Sequence, residues 1–281
     1  MHFLKKNFII NFIKIDNKIN IFKKNIATKL KMKTIILAGG LGTRLSEETR
    51  LIPKPLILIG KKPILFHIMN IYSSYGFNDF IICTGYKSNL VNKYFESLDH
   101  EIIKNNKNVK VYHIKKNNWK VRCIFTGQQT NTGGRLLKLK KLLKYEKNFF
   151  LTYGDGLANI NIKKLLQTHI KNKNICTMTA AQPPARYGVI NIKGNNVSSF
   201  KEKFDNTNAW INGGFLVFNI KIFNYLKSSK DSLEKNVLEK IIKYQKITVY
   251  KHNKFWHAMD TLRDKIYLNK MWNKKLKSLL S

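Results

Sequence analysis

Between residues 33 and 281 the apolar positions fall into short blocks, some continuous and some at helical spacing. Thr34-Ile35-Ile36-Leu37-Ala38 is unbroken and runs into Gly39-Gly40, as a strand buried on both faces does. Residues 63–75 place Leu65, Ile68, Ile71, Tyr72 and Tyr75 on one helical face, with Pro63 at the start and Gly76 past the end. Further strands are expected at 80–84, closed by Gly85, at 109–114, 121–125 and 175–181, and at 149–153, which ends in Gly154-Asp155-Gly156. Strands also dominate 187–218. Helices are expected at 89–98, 136–145, 162–170, 221–226 and 232–244, and from about Leu262 onward. This alternation predicts an α/β fold, a Rossmann-like, mostly parallel mixed sheet with helices on both faces. No repeat or linker interrupts it, so 32–281 reads as a single domain.

Residues 1–31 break the pattern. They are lysine-rich and aliphatic with one acid, Asp16, and charges interrupt every apolar run. No signal-peptide core forms, and Arg and Ser are too few for a transit peptide. Two readings stand: a basic amphipathic helix lying on a membrane, or a dispensable extension ahead of a natural start at Met32.

Composition narrows the function classes. The net charge is +36, which raises the question of nucleic acid. Arg occurs only at 44, 50, 122, 135, 186 and 263, so the cations are nearly all lysine, spread along the whole chain. Lys, Asn and Ile share A/T-rich codons, and an A/T-biased genome accounts for the excess. Arg, the usual reader of base edges, is scarce, so no specific nucleic-acid partner is expected. The three cysteines, at 83, 123 and 176, form no Cys-x-x-Cys and read as core in a reducing, cytoplasmic compartment. No apolar run reaches the roughly 20 residues of a membrane-spanning helix, so no integral membrane association is expected.

The chemistry starts at Leu37-Ala38-Gly39-Gly40-Leu41-Gly42-Thr43-Arg44. Glycines after a buried strand let backbone N–H groups close on phosphate oxygens, and Arg44 adds a forked phosphate donor. The spacing is not that of a Walker A loop, and a dinucleotide fingerprint begun at Gly40 would need glycine where Leu45 stands. Pro53-Lys54-Pro55 holds a second cation, Lys54, on a stiffened segment.

These two segments resemble the opening of the sugar-1-phosphate nucleotidyltransferases. Four later ones, Thr132-Gly133-Gly134-Arg135, 152–156, 211–215 and 255–265, are similar to the branch of that family that uses CTP and glucose 1-phosphate. The similarity runs from about Met32 to Trp272. It implies the nucleotide-diphospho-sugar transferase type of fold, and cytidylyl transfer giving CDP-glucose and pyrophosphate. It also implies Mg2+ as cofactor, a homo-oligomer, and a product used in lipopolysaccharide O-antigen biosynthesis. The same chemistry with dTTP or UTP is the near alternative, and a non-catalytic nucleic-acid-binding or regulatory protein on this fold the remote one.

By the same resemblance Asp155 and Asp260 hold the magnesium. Each follows a strand-like run, and strands of one parallel sheet are expected to bring both to the same edge. Taken alone, Asp155 also suits a turn and Asp260 an N-cap of the last helix. Arg44 and Lys54 are expected to screen the triphosphate, with Thr130, Arg135 and Gly154 completing the nucleotide contacts. Glu202 and Lys203 match a Glu-Lys-Pro sugar-binding signature in which Phe204 replaces the proline. Asn212, Gly213 and Gly214 suit close approach of a sugar hydroxyl, or a bulge in a strand. His67 reads as structural, and His257 receives no role.

Overall fold

The apolar blocks build one large sheet. The computed structural model describes residues 32–183, 189–193, 196–201, 209–244 and 246–276. Its strands are β1 (Lys33–Ala38), β2 (Leu58–Ile59), β3 (Lys62–Pro63), β4 (Asp79–Thr84), β5 (His100–Asn105), β6 (Val109–Ile114), β7 (Trp119–Phe125) and β8 (Asn148–Tyr153). They continue with β9 (Gly156–Ala158), β10 (Cys176–Ala181), β11 (Val189–Lys193), β12 (Asn196–Lys201), β13 (Ile211–Asn219), β14 (Ile247–His252) and β15 (Trp256–Ala258). Nine of them form a sheet in the order β14-β10-β13-β8-β1-β4-β7-β6-β5.

The centre of that sheet, β8-β1-β4-β7, is parallel, as is the β10-β14 pair. The other four pairings are antiparallel, because β13 runs backwards between β8 and β10, and β6 and β5 return from β7 as a meander. The sheet is therefore mixed, with its parallel part concentrated where the glycine loop leaves β1.

Alternate residues of the central strands feed two apolar layers. Ile35, Leu37, Ile81, Cys83, Phe149, Leu151, Leu216 and Phe218 join Leu136, Leu139, Val237 and Ile241 on one face. On the other, Tyr72 of the helix Ile64–Ser73 packs on Phe150 and Phe215. Ile35 and Ile36 are wholly buried on opposite faces of β1, and each such side chain stabilises the fold by about 1.5–3 kcal/mol. Cys83, Cys123 and Cys176 are buried and unbridged. No helix among the described residues is long and apolar enough to cross a membrane.

Two expectations need correction. The helix foreseen at 136–145 begins and ends earlier, at Thr132–Leu137, and 138–145 continues as turns. Leu136, Leu139 and Leu143 are buried as their spacing required. The helix start is set instead by Gly133 and Gly134, which lie against the backbone of Asp231 and Ser229, where a Cβ on Gly134 would stand 2.1 Å from the Ser229 carbonyl oxygen. The edge strand β5 was not foreseen, because it follows no apolar alternation and Glu101–Asn105 are all exposed.

Candidate active site

Register sets the site. Leu37 of β1 lies opposite both Cys83 of β4 and Tyr153 of β8, and Thr84 lies opposite Phe125 of β7. The four parallel strands thus end together, and the loops after them share one edge, the usual ligand edge of an open α/β sheet. The first loop turns at Gly42, whose φ of 68° favours glycine. Thr49 Oγ1 donates to the Gly42 carbonyl at 3.1 Å and steadies the turn. Gly39 has no room for a side chain, since a Cβ there would stand 2.1 Å from the Arg135 guanidinium.

Arg135 is the brace beneath these loops. It is 4% exposed, and its guanidinium donates to the carbonyls of Gly39 (2.7 Å), Thr84 (3.1 Å) and Gly127 (2.8 Å) and to the hydroxyl of Thr126 (2.7 Å). One side chain therefore joins the ends of β1, β4 and β7. Burial pulls its pKa down from the ordinary arginine value, though an arginine keeps its charge.

The charged centre lies beside that brace. Lys54 Nζ donates to Asp155 Oδ2 at 2.7 Å and to Asp260 Oδ1 at 2.8 Å. Arg44 Nη1 donates to Asp260 Oδ2 at 3.0 Å from a side chain 76% exposed. Burial alone would lower the Lys54 pKa, but the two carboxylates overcome it and hold it above the usual lysine value.

Asp155 follows β8, as expected, but Asp260 arrives by another route. It follows β15, which pairs antiparallel with β9 in a separate two-stranded sheet, Ala258 opposite Gly156. Met259 N–H donates to the Asp155 carbonyl at 2.9 Å. Short-range pairing, not the shared parallel edge, thus brings the two aspartates together. Nor is Asp260 the cap of the last helix. Thr261 caps it, in a capping box with Asp264, whose Oδ2 also accepts the backbone N–H of Asp260.

Two adjoining cavities open at this edge. The larger, about 440 Å³, is lined by Leu37, Ala38, Gly39, Gly40, Gly42, Thr43, Arg44, Lys54, Thr130, Arg135, Gly154 and Asp155 among others. Leu41 is not among the lining residues and is 54% exposed. The smaller, about 270 Å³, is lined by Asn212, Gly213, Gly214, Trp256 and Asp260, and shares Arg44, Tyr153 and Asp155 with the larger. Gly213 and Gly214 form the bulge that was one of the two readings, where β13 shifts register against β10. Asn212 Oδ1 accepts Gly214 N–H at 2.9 Å, and Trp256 donates to the Gly213 carbonyl at 2.8 Å. Glu202 and Lys203 lie outside the described residues. His67 is buried and hydrogen-bonded to the Ile59 carbonyl, a structural role. His257 pairs with Asp264 at 3.0 Å.

The sequence reading missed Glu234, Tyr153 and Trp256 as wall residues. Glu234 carried one usable signal, being one of 16 acids in the chain, but no motif surrounds it.

Asp155 and Asp260 approach one cation, the Lys54 ammonium, closely enough to share it. Among the described residues no three His, Cys, Asp or Glu side chains group as a metal site. Two carboxylates, with no third such ligand beside them among the described residues, are a donor set that suits magnesium completed by substrate phosphates. The residues present fit that ion.

A family profile described as nucleotidyl transferase matches residues 33–269. The glucose-1-phosphate cytidylyltransferases of Salmonella typhimurium and Salmonella typhi are each 41% identical to the chain over 248 residues, covering 86% of it and 96% of their own length. Among solved structures, HddC from Yersinia pseudotuberculosis matches with a TM-score of 0.65 at 22% identity, over 86% of this chain and 99% of its own. That last likeness is one of fold.

Proposed function

The chain belongs to the nucleotidyl transferase family, and on that footing we propose that it transfers a cytidylyl group from CTP to glucose 1-phosphate, giving CDP-glucose and pyrophosphate. One observation carries the reading: two cavities meet at Arg44, Tyr153 and Asp155, beside Lys54. A triphosphate in the larger and a sugar phosphate in the smaller would face each other there. The 41% identity to enzymes named for CTP and glucose 1-phosphate supports the choice of substrates.

The mechanism needs no covalent enzyme intermediate. An oxygen of the sugar phosphate attacks the α-phosphorus of CTP in line, and the bond from that phosphorus to the β-phosphate oxygen breaks. Arg44 and Lys54 neutralise the triphosphate, so that a second anion can approach. Backbone N–H groups of 39–43 cradle the phosphates, and Gly154 lets the chain pass close to them. Thr130 faces the nucleotide, Arg135 fixes the loops that form its wall, and Lys203 with Glu202 orients the sugar phosphate and sugar. Magnesium held by Asp155 and Asp260 would supply positive charge across the phosphates. Lys54, now paired with both carboxylates, would be left to face phosphate oxygens. A homo-oligomer in the cytoplasm, feeding O-antigen synthesis, completes the proposal.

The test is pyrophosphate release from glucose 1-phosphate with each of CTP, UTP, dTTP, ATP and GTP in magnesium buffer. CTP should give the highest kcat/KM. An equal or higher value with UTP or dTTP overturns the donor, and no release with any of the five overturns the reaction.

A further inference from the structure

Glu234 shares the wall of the larger cavity with one other acid, Asp155, which is paired with Lys54. Its Oε1 accepts the Tyr153 hydroxyl at 2.5 Å, and its Oε2 accepts Ser232 Oγ and Thr132 Oγ1, each at 2.7 Å. Thr132 Oγ1 in turn accepts the Leu233 N–H at 2.8 Å. These partners are all hydroxyls, and among the described residues no cation neutralises Glu234. Burial would push its pKa up, but the hydrogen bonds from Tyr153, Ser232 and Thr132 outweigh that and hold it below the usual carboxylate value. The carboxylate is therefore charged and fixed, and Oε1, with one described partner, keeps a lone pair for another donor.

A triphosphate cannot be that donor, and its place is already marked by Lys54 and Arg44. What remains of the nucleotide in the larger cavity is the sugar and the base. Cytosine differs from uracil and thymine at position 4, where it carries an amino donor and they carry a carbonyl acceptor. A fixed carboxylate accepts from the first and repels the second. We infer that Glu234 selects cytosine, its Oε1 accepting an N–H of the 4-amino group. Tyr153 and Thr132 hold the carboxylate in place. This inference rests on the CTP reading above.

The test compares kcat/KM for CTP and UTP in the wild type and in Glu234→Gln, with melting temperature as the folding control. The wild-type ratio by itself tests the donor assignment. The change of ratio tests Glu234. A glutamine can turn either its carbonyl or its amide to the base, so the CTP:UTP ratio should fall at least tenfold, mostly through a gain with UTP. A ratio left unchanged, with both nucleotides weakened alike, overturns the inference, since it would mean that Glu234 holds the ribose or only braces the wall. The wild type supplies an independent arm. The triphosphate of 2-pyrimidinone riboside, which lacks the 4-amino group, should react roughly 10- to 100-fold less efficiently than CTP, the scale of one such base contact. Equal efficiency overturns the inference even if the variant fails to fold.

Discussion

Replacing Asp155 and Asp260 by asparagine, singly and together, separates what these groups do for the resting fold from what they do in turnover. Lys54 has only 12% of its side chain exposed, and both carboxylates lie within 2.8 Å of its ammonium. Either single substitution leaves Lys54 one full counter-charge, so it should cost about 1 kcal/mol. For a domain of this size that lowers the melting temperature by roughly 2–4 °C. The double substitution strands a largely buried ammonium, at about 3–5 kcal/mol, and a fall on the order of 10 °C follows. Stability losses should thus exceed the sum of the singles. Turnover should behave in the opposite way. Each single change should lower kcat by roughly 10²–10³-fold, the scale for losing a main charge-stabilising group. The double should be little worse, because groups acting as a unit are not additive. Melting is followed by circular dichroism in EDTA and turnover by pyrophosphate release in magnesium. A double-variant melting loss equal to the sum of the singles would show that Lys54 is not shared. Near-normal turnover and magnesium dependence in Asp260→Asn would sink the two-carboxylate site.

Arg135→Lys should lower the melting temperature by several degrees and raise the KM for CTP at least tenfold, because a single ammonium cannot reproduce a fork that serves five acceptors at once, the Gln128 carbonyl at 3.3 Å included; a variant with wild-type melting and KM would refute the brace. Truncation to Met32 should leave kcat/KM and melting temperature unchanged, and a soluble truncated protein without activity would place 1–31 in the site or in an oligomer contact.

How far the sequence could be read depended on the range of the interactions involved. β1, β4 and β8 were legible because a strand buried on both faces leaves an unbroken apolar run. The 39–44 loop and Lys54 were legible because glycine and proline mark backbone geometry directly. Asp155 followed from its place at a strand end. The approach of Asp260 was not legible, since it depends on β9 and β15, three residues each, whose pairing leaves no periodic signature. The turns at 138–145 keep apolar spacing without a helix, so the pattern gave burial correctly and conformation wrongly. Glu234 stayed hidden because its partners, Thr132 and Tyr153, lie 102 and 81 residues away, and only folding assembles them.

The Arg135 clip has a consequence for motion. Loops after separate strands ordinarily fluctuate separately, each with its own free energy of local opening. Here one guanidinium spans the ends of β1, β4 and β7, so releasing any one of them disturbs the bonding of the others. The three should open as one cooperative unit, their amides exchanging with solvent hydrogen at a common rate. The entropy of ordering that wall is then met once, when the protein folds, and not again each time a nucleotide arrives.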